Sequence, residues 1–131
     1  MKRLIFAVLM MTCSVSWAEW EMTGNTKTDT FYHDKSTIRR NGAVAKMWSM
    51  IDSFEEETNS DGAKFRSQKV FRVANCRERI AATIALFQYS GPMGEGNVIL
   101  TRTIKEGEAD WTPIPPGSVS EAEWKIICGK R

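Results

Sequence analysis

Residues 38–75 read IRRNGAVAKMWSMIDSFEEETNSDGAKFRSQKVFRVAN, and two dipeptides in this stretch decide the fold. Asn41-Gly42 separates I-R-R from A-V-A, and Asp61-Gly62 separates an acidic segment from a basic one. Asn or Asp followed by Gly tolerates the positive φ that both central positions of a type I′ turn require. Each dipeptide therefore predicts a hairpin. Ala43–Glu56 should pair antiparallel with the strand before it, and Lys64–Asn75 with Ala43–Glu56. At the second turn the register brings Glu55, Glu56 and Glu57 near Lys64 and Arg66, a charge match of about 0.2–1 kcal/mol per pair.

Working outward, Glu19–Thr23 alternates Trp20 and Met22 as a short first strand, and Gly24–Thr28 reads as loop. Asp29–Arg40 carries Thr30, Phe31, Tyr32, Thr37 and Ile38, which suit a strand, with Asp34-Lys35-Ser36 as an interrupting turn. Downstream, Arg79–Tyr89 places Ile80, Ala82, Ile84 and Leu86 on one face. Ala81, Thr83, Ala85, Phe87 and Tyr89 take the other. Gly91–Asn97 is a glycine-rich hairpin tip, Val98–Lys105 a returning strand and Glu106–Asp110 a loop. Trp111–Cys128, W-T-P-I-P-P-G-S-V-S-E-A-E-W-K-I-I-C, then leads into a helix. Pro115-Pro116-Gly117 bars an earlier start, and Ser118 with Glu121 or Ser120 with Glu123 fits a capping box. Trp124, Ile127 and Cys128 share the face the helix should bury.

These readings give an α+β class: an antiparallel meander of about five or six strands with a C-terminal helix packed on one face and one disulfide. One feature strains that picture. Met47–Ile51 and Arg79–Tyr89 are apolar on both faces, whereas a half-buried sheet alternates. A short helix covers one face only. Either the sheet curls on itself, or its second face meets a partner, which can be a second copy or a ligand.

Lys2 and Arg3 precede an apolar run, Leu4–Met11, and Ser16-Trp17-Ala18 puts small residues at −3 and −1. This is the pattern of a secretory signal peptide, residues 1–18, cleaved between Ala18 and Glu19. The apolar run reaches about 12 Å as a helix, too short for a bilayer core of roughly 30 Å. Acylation at Cys13 is the alternative, against a flank, Met10-Met11-Thr12, with Thr where a small residue is expected. Losing Lys2 and Arg3 leaves 16 basic residues against 16 acidic, from 18 and 16 in the whole chain. A neutral domain, residues 19–131, carries no general footprint for nucleic acid or an anionic membrane. Cleavage also leaves two cysteines, Cys76 and Cys128, which in an exported chain are most simply a disulfide.

Catalytic groups do not assemble. His33 is the single histidine and reads as a surface or hairpin residue, so no zinc set, no other metal site and no cofactor is expected. No serine has the context of a nucleophile. Gly91–Gly96 precedes a strand, not a helix, so it is no phosphate cradle. Glu55–Glu57 with Asp61 read as solvated carboxylates. Among the basic residues Lys64, Arg66, Lys69, Arg72, Arg77 and Arg79, Arg66 and Arg72 fall on the strand face opposite Lys69. The candidate partner surface is Trp48, Met50, Phe87 and Tyr89 from the two-faced strands, with Arg66 and Arg72.

Several features in order now form a pattern. A Trp stands near the expected mature start, followed by F-Y-H-D-K-S-T-I-R-R-N-G, Trp48, N-C-R-E-R-I at 75–80, Tyr89 and Gly91, and the ending W-T-P-I-P-P-G-S…C. The sequence resembles the surface-adhesin protein E-like family of exported bacterial proteins. That resemblance implies an antiparallel sheet with a C-terminal helix, a disulfide and dimerisation. It also implies a non-catalytic role at the cell surface, binding host matrix or serum proteins. The alternative is a soluble periplasmic accessory protein that docks an envelope partner. Two departures stand out: Asn75 where an acid is expected before the first cysteine, and a leader without the lipid-anchoring pattern.

Overall fold

The computed structural model describes residues 19–129; the expected leader, its cleavage site at Ala18 and Cys13 lie outside the described residues. Six strands follow one another across a single antiparallel sheet: β1 (Glu21–Asn25), β2 (Asp29–Asn41), β3 (Val44–Thr58), β4 (Lys64–Asn75), β5 (Ile80–Tyr89) and β6 (Val98–Thr103). A two-residue strand, β7 (Thr112–Pro113), pairs with the start of β5, and α1 (Val119–Ile127) ends the fold. The meander, the helix and the disulfide are those expected from the sequence.

Both hairpins form where the Asx-Gly dipeptides stand, but neither turn is type I′. Positive φ falls on Gly42 (+63°) and Gly62 (+81°), and not on Asn41 or Asp61. The first loop is Gly42-Ala43 between the paired residues Asn41 and Val44. Positive φ at its first central residue is the type II′ pattern. The second loop is longer. Asn59 N–H bonds the Ala63 carbonyl at 2.8 Å, and Gly62 N–H bonds Asn59 O at 3.0 Å. Gly62 thus follows a turn as the left-handed residue of a three-residue loop.

Asp34-Lys35-Ser36 does not break β2 but bulges it: pairing with β3 shifts between Asp34 and Arg39. Asp34 is 3% exposed, and its carboxylate accepts from the backbone N–H and the hydroxyl of Ser36. The Thr37 hydroxyl donates to Asp34 O at 2.6 Å and accepts from Trp48 N–H at 2.9 Å. The bulge therefore satisfies its own polar groups.

A second bulge corrects the faces assigned to β5. Phe71 pairs with Ala85, but its neighbour Arg72 pairs with Thr83, so Ile84 is an extra residue. One inserted residue inverts the alternation beyond it. Leu86, opposite Val70, therefore leaves the face of Ile80 and Ala82, and Phe87 and Tyr89 join it.

On the first face, α1 covers Ala45, Met47, Ala74 and Ala81 with Ile127, and Ile114 completes the cluster. Ser118 is the N-cap, its hydroxyl accepting from Glu121 N–H at 3.1 Å, which resolves the two candidate starts. The Cys76–Cys128 disulfide, with a Cα–Cα distance of 5.5 Å, ties the helix end to the β4–β5 turn. Asn75 organises that turn: its side-chain oxygen accepts from Arg77 N–H and Glu78 N–H, both at 3.0 Å. An aspartate oxygen would accept the same pair, so the departure at Asn75 keeps the local structure.

Closing the loop from Cys76 to Cys128 should stabilise the fold by about 4 kcal/mol in the chain-entropy model, a large share of the roughly 5–15 kcal/mol of a typical domain. Cys128→Ser is expected to lose most of that amount in urea unfolding. An unchanged midpoint would show that α1 docks without the tie.

Candidate functional site

The second face of the sheet is covered at its two ends and open between them. At one end the Gly91–Asn97 segment folds back over the sheet instead of projecting as a tip. Met93 N–H bonds an Asp52 carboxylate oxygen at 2.9 Å, and Gly94 N–H bonds the Ser67 hydroxyl at 2.8 Å. That hydroxyl donates in turn to Gly91 O at 2.7 Å. Gly94 has φ of +73°, and an added Cβ would lie 2.6 Å from Lys69 Cε. Only glycine suits that position. At the other end Ala109 and Trp111 pack on Val73, Ala82 and Ile84. Lys46 pairs with Glu106 at 3.2 Å along that border.

Between these covers runs a row of half-buried aromatic side chains. Trp48 stacks on Phe71 with ring centroids 4.8 Å apart, and Phe87 tilts against Trp48 at 5.8 Å. Lys69 lies 5.1 Å from the centre of the Tyr89 ring. Register explains the assembly. Trp48 pairs with Phe71 and Met50 with Lys69 across β3 and β4. Lys69 pairs with Phe87, and Ser67 with Tyr89, across β4 and β5. Aromatic faces beside one fixed cation suit a protein surface that buries apolar groups with a polar rim.

Of the residues expected at a partner surface, Trp48, Phe87 and Tyr89 come together here. Met50 shares the face but is 0% exposed, sealed beneath the Gly91–Asn97 segment, so it cannot touch a partner. Arg66 and Arg72 lie on the helix face. Arg66 donates to Ser53 O and Phe54 O, both at 2.8 Å. Arg72 pairs with Glu123 of α1 at 2.7 Å and donates to Thr83 at 2.7 Å. Both guanidinium groups are thus occupied in holding the sheet and seating the helix. Phe71 and Lys69 belong to the row and were missed. The signal was present, since both alternate with Ser67 on one face of β4.

His33 is not a surface residue. It is 3% exposed, opposite Glu21 and Ser49 in the sheet, on the face α1 covers. Its Nδ1 lies 2.6 Å from the Thr23 hydroxyl. Its Nε2 has no hydrogen-bond partner, nor does the Ser49 hydroxyl. Glu21 stands 3.6 Å from Nε2. Burial lowers the His33 pKa below the usual histidine value; Glu21 and Glu123 oppose that shift, and Lys35 adds to it. Among the described residues no three metal-ligating side chains cluster.

The family described as surface-adhesin protein E matches residues 20–129. The chain belongs to the surface-adhesin protein E family. Solved structures of Haemophilus influenzae protein E share its fold. Crystal form II superposes with a TM-score of 0.57 at 16% identity, over 75% of this chain and 79% of that one. The protein from a non-typeable strain gives 0.58 at 13% identity, over 88% and 78%. No curated protein has a significantly similar sequence. Such identities speak for the fold; the family match speaks for a surface adhesin. Among the described residues no helix is long and apolar enough to cross a membrane.

The buried histidine sets a pH dependence. Its pKa is lower folded than unfolded, so its contribution is fully present above the unfolded value of about 6.5 and is lost as pH falls through the folded value. Stability measured by urea unfolding should therefore decline on acidification below about pH 6.5, and His33→Gln should flatten that decline. An equal slope in both proteins would remove His33 as its source.

Proposed function

We propose that this protein is a non-catalytic adhesin of the bacterial envelope, exported and displayed at the cell surface, that engages host extracellular-matrix or serum proteins. The observation that carries the reading is the open aromatic row of Trp48, Phe71 and Phe87 on the sheet face that α1 does not cover. Large aromatic anchors in a shallow, polar-rimmed site supply most of the affinity of protein interfaces. Family membership supports the choice of partner class. The same row offers a contact to a second copy of the chain, which is where we place a homodimer. A leader at residues 1–18 accounts for export.

Trp48→Ser and Phe87→Ser should each weaken binding to immobilised laminin or vitronectin by about tenfold or more, the change expected from losing about 1.4 kcal/mol at an anchor. Arg66→Ala on the helix face should leave binding unchanged once its fold is verified by circular dichroism. Added protease should cleave the protein on intact cells. Protection until the outer membrane is opened would replace surface adhesion with a periplasmic accessory role.

A further inference from the structure

The bulge in β2 has a second effect. The bulge and the last turn of α1 together line an open cleft of about 840 Å3. Its lining includes the apolar side chains of Ile38 and Ile126 and the disulfide half Cys128. Every charged residue in the lining is a cation: Lys35, Arg39 and Arg40. The cleft shares no lining residue with the aromatic row.

Those cations are not equivalent. Lys35 pairs with Glu21 at 3.2 Å. Arg39 and Arg40 have no carboxylate partner among the described residues. Arg39 places Nη1 on two backbone carbonyls, Ser36 at 3.2 Å and Ile38 at 2.9 Å. Arg40 places Nε on Gly42 O at 3.1 Å. Each guanidinium is thereby oriented by one nitrogen, while its other N–H groups have no acceptor among the described residues. The bulge beneath them is fixed by Asp34, whose carboxylate is hydrogen-bonded to Ser36 and forms no ion pair with either guanidinium. The carbonyl end of α1 contributes only a fraction of a negative charge nearby. The site is thus apolar at its base, net positive at its rim and held in place before any ligand arrives.

We propose that this cleft binds a small amphiphilic anion. Its apolar body lies against Ile38 and Ile126, and its acidic head accepts hydrogen bonds from Arg40, which the register places with Ile38 on the helix side of β2; Arg39, opposite Lys46, starts from the other face and adds charge from the rim. The volume falls within the roughly 300–1,000 Å3 of small-molecule sites. A free carboxylic amphiphile and a lipid phosphate headgroup share this chemistry.

The test titrates the purified exported protein with decanoate, decyl phosphate, decanol and acetate below micellar concentrations, following methyl resonances by NMR. Decanoate or decyl phosphate should shift the Ile38 and Ile126 methyl groups, and the tighter of the two identifies the head group. Decanol and acetate should bind at least about tenfold more weakly, since each lacks one half of the recognition. Arg40→Glu, with its fold checked by circular dichroism, should lower decanoate affinity by about tenfold or more, and added salt should weaken binding in the unaltered protein. Equal binding of acetate and decanoate would mean an adventitious ion only. Shifts centred on Trp48 and Phe71, salt-independent binding, or sedimentation with phosphatidylglycerol vesicles without uptake of single amphiphiles would each overturn the proposal.

Discussion

A sheet that is apolar on both faces must be covered twice, and the described residues hold one short α-helix. That constraint shapes everything outside the strands. Helix α1 serves one face, held by the disulfide and oriented by the Arg72–Glu123 pair. Such a buried pair contributes less to stability than to registering the helix, because two charges lose their hydration to make it. Arg79 adds a further link from the β4–β5 turn, pairing with Glu121 at 2.8 Å and lying 4.9 Å from the Trp124 ring. The second face is closed at its ends by two returning loops, one attached through its backbone N–H groups and the other through Ala109, Trp111 and the Lys46–Glu106 pair. What they leave uncovered is the aromatic row.

The turns were legible because their chemistry is local. Asn41-Gly42 and Asp61-Gly62 mark both hairpins, and Ser118 marks the helix start through an oxygen that reaches its own helix. The turn types were less legible, since left-handed backbone at the glycine alone is compatible with the same dipeptides. The β2 bulge showed as an interruption at Asp34-Lys35-Ser36, but the β5 bulge left almost no trace. One extra residue at Ile84 changes neither composition nor hydrophobicity, yet it transfers Leu86 to the helix side and brings Phe87 and Tyr89 to the face of Trp48. Two residues of the candidate surface were therefore found for an incomplete reason. Phe87 meets Trp48, and Tyr89 meets Lys69, only because of that bulge.

Long-range polar contacts were beyond reach of the sequence for a different reason. Arg72 and Glu123 are 51 residues apart, and Met93 and Asp52 are 41 apart. Nothing in either neighbourhood announces the other. His33 followed the same rule. Its polar sequence context suggested exposure, but β1 and α1 bury it. The burial removes one of its ring nitrogens from any partner, which is why a residue with no evident chemistry still affects the acid response of the fold.

The two candidate sites have rigid floors and walls of different construction. Strands β3, β4 and β5 fix the aromatic floor through paired register, where a substitution disturbs neighbours on both sides. The flanking Gly91–Asn97 and Lys105–Trp111 segments are loops attached at a few points, and loops accept insertions and replacements that strands do not. Lineages bearing this fold can therefore exchange one partner for another by rewriting the borders, while the sheet beneath stays recognisable even at 16% identity. Divergence of that kind would appear as drift in specificity without drift in architecture.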